Sequence, residues 1–294
     1  MLGFQAARVA VVSCLLLHGV AIQADEPKPV PASPPAAADI AAPSETDLAS
    51  ERMKFMTEAV ARYSAVVPGK DKPLTSIPPC LRWNNPISGS SDGIVTVLTD
   101  GGRPAMIVQF FKTKGANGNW VHEFAVTGPQ GLKLQKDGQD FWEPSEFILA
   151  FKDVPDAPEP ADTPARRLAQ MRRIAERFSL TDHHGYQDNQ IVPTQLRLLS
   201  TPLYRYKEEG KITDGVLFAF VMGTDPECNV LIEAQQDSGG TRYRYAFAPM
   251  SIYQLEAELD GQPAWSIERR KIFREACRKY YAGSYQPAPA EKVP

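Results

Sequence analysis

An internal repeat constrains this chain more than any other feature. Residues on either side of a proline-rich stretch near position 160 match at an offset of 122 or 123. Pro79-Cys80-Leu81-Arg82-Trp83 stands opposite Pro202-Leu203-Tyr204-Arg205-Tyr206, and Asp92-Gly93 with Ile94 to Leu98 stands opposite Asp214-Gly215 with Val216 to Phe220. Pro104 then matches Pro226, Phe124 matches Phe247, Asp137-Gly138 matches Asp260-Gly261 and Trp142 matches Trp265. Ordered agreement of turns and aromatics with a small register shift argues for duplication of one supersecondary unit.

Each unit opens on an apolar stripe at helical spacing. Leu48, Phe55, Met56, Ala59, Val60 and Tyr63 form the first, and Leu168, Met171, Ile174, Ala175 and Phe178 the second. Thr163-Pro164 supplies the second helix with a hydroxyl cap and a proline in its first turn. About five strands follow each helix, joined by Asp-Gly, Asn-Gly or Gly-Gly turns of the kind that close antiparallel hairpins. The fold expected is therefore α+β: two tandem related units, each a helix followed by an antiparallel meandering sheet, plus a C-terminal helix over Ile267–Tyr281.

The ends read differently. Arg8 precedes an apolar run from Val9 to Val20 and the segment Ala21-Ile22-Gln23-Ala24, the pattern of a secretory signal peptide cleaved after Ala24, or alternatively after Ala21. A lipobox ending at Cys14 would leave too short an apolar core before the processing site. The expected organisation is a signal peptide over 1–24, a Pro/Ala-rich spacer over 25–44 and a first unit over 45–153. A Pro-rich linker over 154–163, a second unit over 164–285 and a disordered tail over 286–294 complete it. Beyond the leader no apolar run is long enough for a membrane span. With 32 Lys and Arg against 35 Asp and Glu, no overall charge favours nucleic acid. Cys80, Cys228 and Cys277 would remain after cleavage, allowing at most one disulfide and forming no metal-type cluster. No cofactor or metal is expected.

Candidate site residues are few. Gly89-Ser90-Ser91-Asp92-Gly93 fits a serine-hydrolase elbow, but a strand follows it where a helix is required, so it reads as a hairpin turn. His122 and Glu123 fall on opposite faces of one strand; His122 matches Tyr245 in the second unit and reads as a packed ring. Glu233 ends an apolar strand and is a candidate acid if buried, or a partner for Arg82 or Arg205. His183, His184, Asp182 and Asp188 read as a polar loop without a metal-ligand spacing. Arg166, Arg167, Arg172, Arg173 and Arg177 load the second helix, and Arg269 to Lys279 the last one, as a solvated face or a surface for an anionic polymer. The repeated pairs Arg82-Trp83 and Arg205-Tyr206 offer guanidinium and aromatic surfaces to a ligand, or serve the shared architecture.

Leu81-Arg82-Trp83-Asn84-Asn85-Pro86, Thr163-Pro164-Ala165-Arg166-Arg167-Leu168, Leu196 to Leu199 with Pro202 to Tyr206, and Asp214-Gly215 through Glu227 resemble a family of uncharacterised exported proteins from planctomycete bacteria. The resemblance covers roughly Thr75 to Trp265. It implies a duplicated, secreted domain pair and carries over no catalytic residue. The function expected is a non-catalytic extracytoplasmic binding or scaffold module, with an envelope component or a protein as partner. A hydrolase using His122, Glu123 or Glu233, and an anionic-polymer binder using the basic helices, are the alternatives.

Overall fold

The computed structural model describes residues 44–70, 72–113, 118–128, 131–145, 149–187, 190–269, 280–287, 291 and 293–294; the side chains of Thr75 and of 185–191 lie outside that description. The expected signal peptide, and the spacer as far as residue 43, also lie outside it. Ser44 caps the first helix, α1 (Glu45–Ala61), in a capping box with Asp47. Strands β1 (Tyr63–Val66), β2 (Thr75–Ser76), β3 (Leu81–Asn85), β4 (Ser90–Asp100), β5 (Arg103–Thr113), β6 (Trp120–Val126), β7 (Lys133–Lys136), β8 (Gln139–Trp142) and β9 (Lys152–Asp153) follow. Thr163 caps α2 (Pro164–Glu176). After it come β10 (Phe178–Gln187), β11 (Gln190–Leu198), β12 (Tyr204–Glu208), β13 (Ile212–Met222), β14 (Asp225–Asp237), β15 (Gly240–Pro249), β16 (Leu255–Leu259), β17 (Gln262–Ile267) and β18 (Tyr280–Ser284).

The balanced α+β architecture expected from the repeat is not what forms. The protein is mostly β, 54% strand against 14% helix, with two described helices and three antiparallel sheets that include a half-barrel. One sheet runs β1-β7-β8, a second β18-β6-β5-β4-β2 with β3 on β4, and the third β17-β16-β10-β11-β13-β14-β15-β9 with β12 on β13. Two departures account for the difference. The segment after α2 was expected as a loop but forms the long β10–β11 hairpin, its β-branched residues suiting a pleated surface. At the two ends of the expected C-terminal helix Ile267 closes β17 and Tyr280 opens a strand paired with β6; the body of that helix, 270–279, lies outside the described residues.

Asp92-Gly93 and Asp214-Gly215 are not turns either; they sit inside β4 and β13. Their glycines allow a close aromatic approach. A Cβ on Gly93 would lie 2.5 Å from Trp83 Cε2, and one on Gly215 2.5 Å from Tyr206 Cε2. Gly215→Ala should therefore destabilise the fold by about 1–3 kcal/mol through overpacking, read as a lowered urea midpoint at unchanged slope. Asp137 and Asp260 do occupy turns, at φ 54° and 52°.

Alternation along the strands divides the interior into three layers. Ile94, Leu98, Val108, Phe110 and Phe124 pack outward against Phe55 and Met56 of α1. Val216, Phe218, Val230, Ile232 and Phe247 pack outward against Met171 and Ile174 of α2. Their strand neighbours Val95, Val97, Ile107 and Ala125 meet Leu217, Ala219, Val221 and Leu231 in a middle layer. The two halves of the sequence therefore share one core. The proline-rich segment is tied down: Val154 donates to Tyr243 O at 2.9 Å, and Arg167 donates to the carbonyls of Ala161 and Asp162, both at 2.9 Å. In the tail, Glu291 meets Arg62 at 2.5 Å and Tyr285 at 2.7 Å.

Ion pairs recur between the halves. Arg82 donates twice to Asp92, which also accepts from Arg52 of α1. Arg205 does the same to Asp214, which accepts from Arg167 of α2. Arg62 and Arg177, one past each helix, bond Asp137 and Asp260 in the two matched turns. Charge-assisted bonds thus tie α1 to β4 at its middle and to the β7–β8 turn at its end, and α2 to β13 near its start and to the β16–β17 turn at its end.

Candidate functional site

The face of β14 that meets the middle layer reads Asp225, Glu227, Asn229, Leu231 and Glu233. Period-2 alternation carries three carboxyls into the interior, where charge is costly unless it is paired. Glu233 is paired. It is fully buried, accepts from Arg103 Nε at 3.1 Å and Nη2 at 3.2 Å across the layer, and takes the Tyr206 hydroxyl at 2.7 Å and the Gln235 amide.

Asp225 and Glu227, at the other end of the same face, border a cavity of about 250 Å³. Asp225 accepts from Asn85 Nδ2 at 3.2 Å and Gln109 Nε2 at 2.9 Å, both neutral donors. Burial and the charge of Asp182 push its carboxyl upward. Glu227 is pushed well above the carboxylate range, first by burial and then by Asp225, Asp182 and Glu123, against one Ser251 hydroxyl that holds it down. Asp182, in β10, is wholly buried with neither oxygen hydrogen-bonded, and burial raises it to about 7. Asn229, next along the face, is fully buried with neither amide atom bonded.

The framework around these acids is rigid. Thr224, in the β13–β14 turn, exchanges hydrogen bonds with Asn84 of β3 at 2.8 to 3.2 Å, which fastens the β3–β4 turn carrying Ser88. Met250 donates to Glu227 O at 2.9 Å, holding residues 250–253 along β14. Ala282 of β18 stands opposite Glu123 of β6, and both line the cavity. His184 completes one wall, its ring 4.4 Å from that of Tyr253; its Nδ1 has no partner, and burial lowers its pKa.

Comparison with known protein families, curated proteins and solved structures returns no match. The site therefore stands on its geometry. No three His, Cys, Asp or Glu side chains among the described residues are placed to hold a metal ion.

The residues singled out in the sequence go to different places. Of the three candidate acids and bases, Glu123 lines the cavity. Glu233 is neither a solvated strand end nor a partner of Arg82 or Arg205; it forms the interlayer ion pair. His122 is boxed by the rings of Tyr63, Phe124, Phe141, Tyr281 and Tyr285, with Nδ1 2.5 Å from Tyr63 Oη, and burial lowers it to about 3. Trp83 and Tyr206 pack over glycines, and Arg82 and Arg205 are held by aspartates. On α2, Arg166 and Arg173 are exposed, whereas Arg167 and Arg177 pair with Asp214 and Asp260. Of the expected polar loop, Asp182 to His184 lie in a strand, and Asp188 lies outside the described residues. Cys80 is a free thiol, raised to about 11 by burial, and Cys228 is buried in the second core layer.

Sequence reading passed over Asp225 and Glu227, although a signal was present. At the offset that sets Pro226 on Pro104, Asp225 stands on Arg103, Glu227 on Ala105 and Asn229 on Ile107. On this strand Asp225, Glu227 and Asn229 depart from the repeat, while Cys228, Val230 and Ile232 on the other face keep apolar partners in Met106, Val108 and Phe110.

Proposed function

We propose that the protein is an exported, non-catalytic binding module whose ligand enters the cavity between its two large sheets. One observation carries this reading: Asp225 and Glu227 border a solvent-reachable pocket with less compensation than their burial demands, and the buried, unbonded Asp182 adds its charge against both. A scaffold without a ligand there would be more stable with amides or apolar groups at these positions. Asp225 and Glu227 depart from their matched positions Arg103 and Ala105, so the two acids belong to the second half alone, while the first half contributes Ser88, Ser90, Phe111, Thr113 and Glu123 to the walls.

Export is supported by Arg8 and the apolar run that follows it. Mass spectrometry of the secreted chain should find Asp25 at its N-terminus; an intact Met1 would remove this part of the proposal. No helix among the described residues is long and apolar enough to cross a membrane. The anionic-polymer alternative has weaker support, because Arg167 and Arg177 are engaged within the fold and Arg172 donates to Ser200 O at 2.9 Å.

A fragment screen by amide NMR tests the binding reading. Hits should shift Met250 to Tyr253 and Tyr280; hits clustered elsewhere would refute it. One observation favours a second reading, acid–base hydrolysis: two carboxyls adjacent on a strand face, both pushed upward, can share a proton as catalytic dyads do. Turnover of an ester or glycoside probe that Glu227→Gln abolishes would replace the first reading with the second.

A further inference from the structure

We propose that the cavity accepts a small organic cation, an ammonium or guanidinium group carried on an apolar body. This rests on the binding reading above and names its ligand class. Asp225, Glu227 and Glu123 border the space, and no lysine or arginine is among the described residues lining it. Asp182 adds a fourth carboxyl, fully buried and without a partner, whose charge acts on Asp225, Glu227 and Tyr253 alike. An anion would be repelled here. A neutral ligand would leave Asp225 and Glu227 protonated, whereas a cation supplies the charge that their amide and hydroxyl donors do not.

The walls suit the rest of such a molecule. Phe111, Tyr253, Tyr280 and Met250 present aromatic faces and a polarizable thioether, surfaces that attract a cation and cover apolar carbon. Tyr253 already does so elsewhere: the Arg269 guanidinium lies 5.1 Å from its ring centroid. A volume near 250 Å³ is below the range of drug-sized sites, which limits the ligand to a small molecule. The missing three-residue ligand set among the described residues argues against a metal ion.

The proposal fixes a pH dependence. The titratable groups lining the cavity are Glu123 from β6, His184 from β10, Asp225 and Glu227 from β14, and the two tyrosines; Asp182 acts on them by its charge without lining the space, and Arg269 lies against the Tyr253 ring. Protons held on the raised carboxyls compete with the cation, so affinity rises with pH from 5 to 8 while the ammonium stays charged. Protonation of His184 at low pH acts in the same direction by repulsion.

Phenethylammonium, 2-phenylethanol and phenylacetate, with Mg²⁺ as a metal control, are titrated into the mature chain under amide NMR. Phenethylammonium should shift Met250 to Tyr253 and Tyr280 at pH 8, and bind at least tenfold more weakly at pH 5. Glu227→Gln and Asp225→Asn, each checked for its fold by circular dichroism, should weaken it at least tenfold. Equal binding of 2-phenylethanol or phenylacetate at the cavity, an affinity unchanged from pH 5 to 8, or displacement by Mg²⁺ would overturn the cation and leave the binding reading standing. Shifts confined to other residues, or no cavity shift with any probe, would overturn both.

Discussion

Replacing Asp182 by asparagine is expected to stabilise the protein at pH 8 by about 2–4 kcal/mol and to leave it unchanged at pH 4. The direction follows from the proton balance. Asp182 titrates near 3.8 unfolded and about 7 folded, so the folded state holds a proton that the unfolded state releases between those values. Stability is therefore fully present below pH 4 and is lost as pH rises through 7. Asparagine has no charge to bury and removes that loss. Asp225 and Glu227, both raised, add to the same slope.

His122 acts in the opposite sense. Its folded value is about 3 against 6.5 unfolded, so the unfolded state takes up a proton that the folded state refuses, and stability falls as pH drops from 6.5 toward 3. The two slopes oppose one another between pH 4 and 6.5. In Asp182→Asn the acid-side loss from His122 should be steeper than in the wild type. Urea unfolding at pH 4, 5, 6, 7 and 8 measures both; an Asp182→Asn gain that is equal at pH 4 and pH 8 would refute the assignment.

Glu233→Ala is expected to cost about 2–4 kcal/mol, because it removes the partner of the half-buried Arg103 guanidinium and leaves the buried Tyr206 hydroxyl without its acceptor. Arg103 belongs to the first half of the sequence and Glu233 to the second, so this pair couples the two halves. The loss should appear as one cooperative transition at lower denaturant. A change under 1 kcal/mol would mean that the middle layer holds without the pair. Along the inner face of β14, Glu233 has its cation in the protein, whereas Asp225 accepts only from the amides of Asn85 and Gln109, and Glu227 from the Ser251 hydroxyl.

How much of this was readable from the chain depends on the range of each interaction. Both helices were legible, because caps and apolar stripes are local; Thr163-Pro164 and the Met171, Ile174 stripe specify α2 within a few turns. The strands around Ile94 to Leu98 and Val216 to Phe220 were legible for the same reason. Strand β18 was not, since Tyr280 finds Ala125 across most of the chain and its arginine-rich approach reads as a helix. Asp92-Gly93 and Asp214-Gly215 misled because Asp-Gly marks turns, while here each glycine makes room for the aromatic ring of its partner on the adjacent strand, Trp83 and Tyr206.

The site was less legible than the fold. Nothing local distinguishes Asp225 and Glu227 from solvated strand residues, and their burial is produced by the second sheet closing over them. Asp182 read as part of a polar loop because its neighbours are polar; β16 pairing makes it a strand residue and turns its side chain inward. Glu123 drew attention for its neighbour His122, which the aromatic box of the first half claims instead. Comparing the two halves position by position, and asking where polarity departs from the match, would have pointed to β14.

The account rests on carboxyls held protonated beside a pocket, and carbon-13 NMR titration of labelled aspartate and glutamate carboxyls tests it most directly. Asp182 is expected to titrate near pH 7, with the Asp225 and Glu227 resonances also displaced upward, and phenethylammonium should lower all three midpoints as it takes the place of their protons. Midpoints between 3.5 and 4.5 for all three, unmoved by the amine, would contradict both the buried acid cluster and the ligand it is proposed to bind.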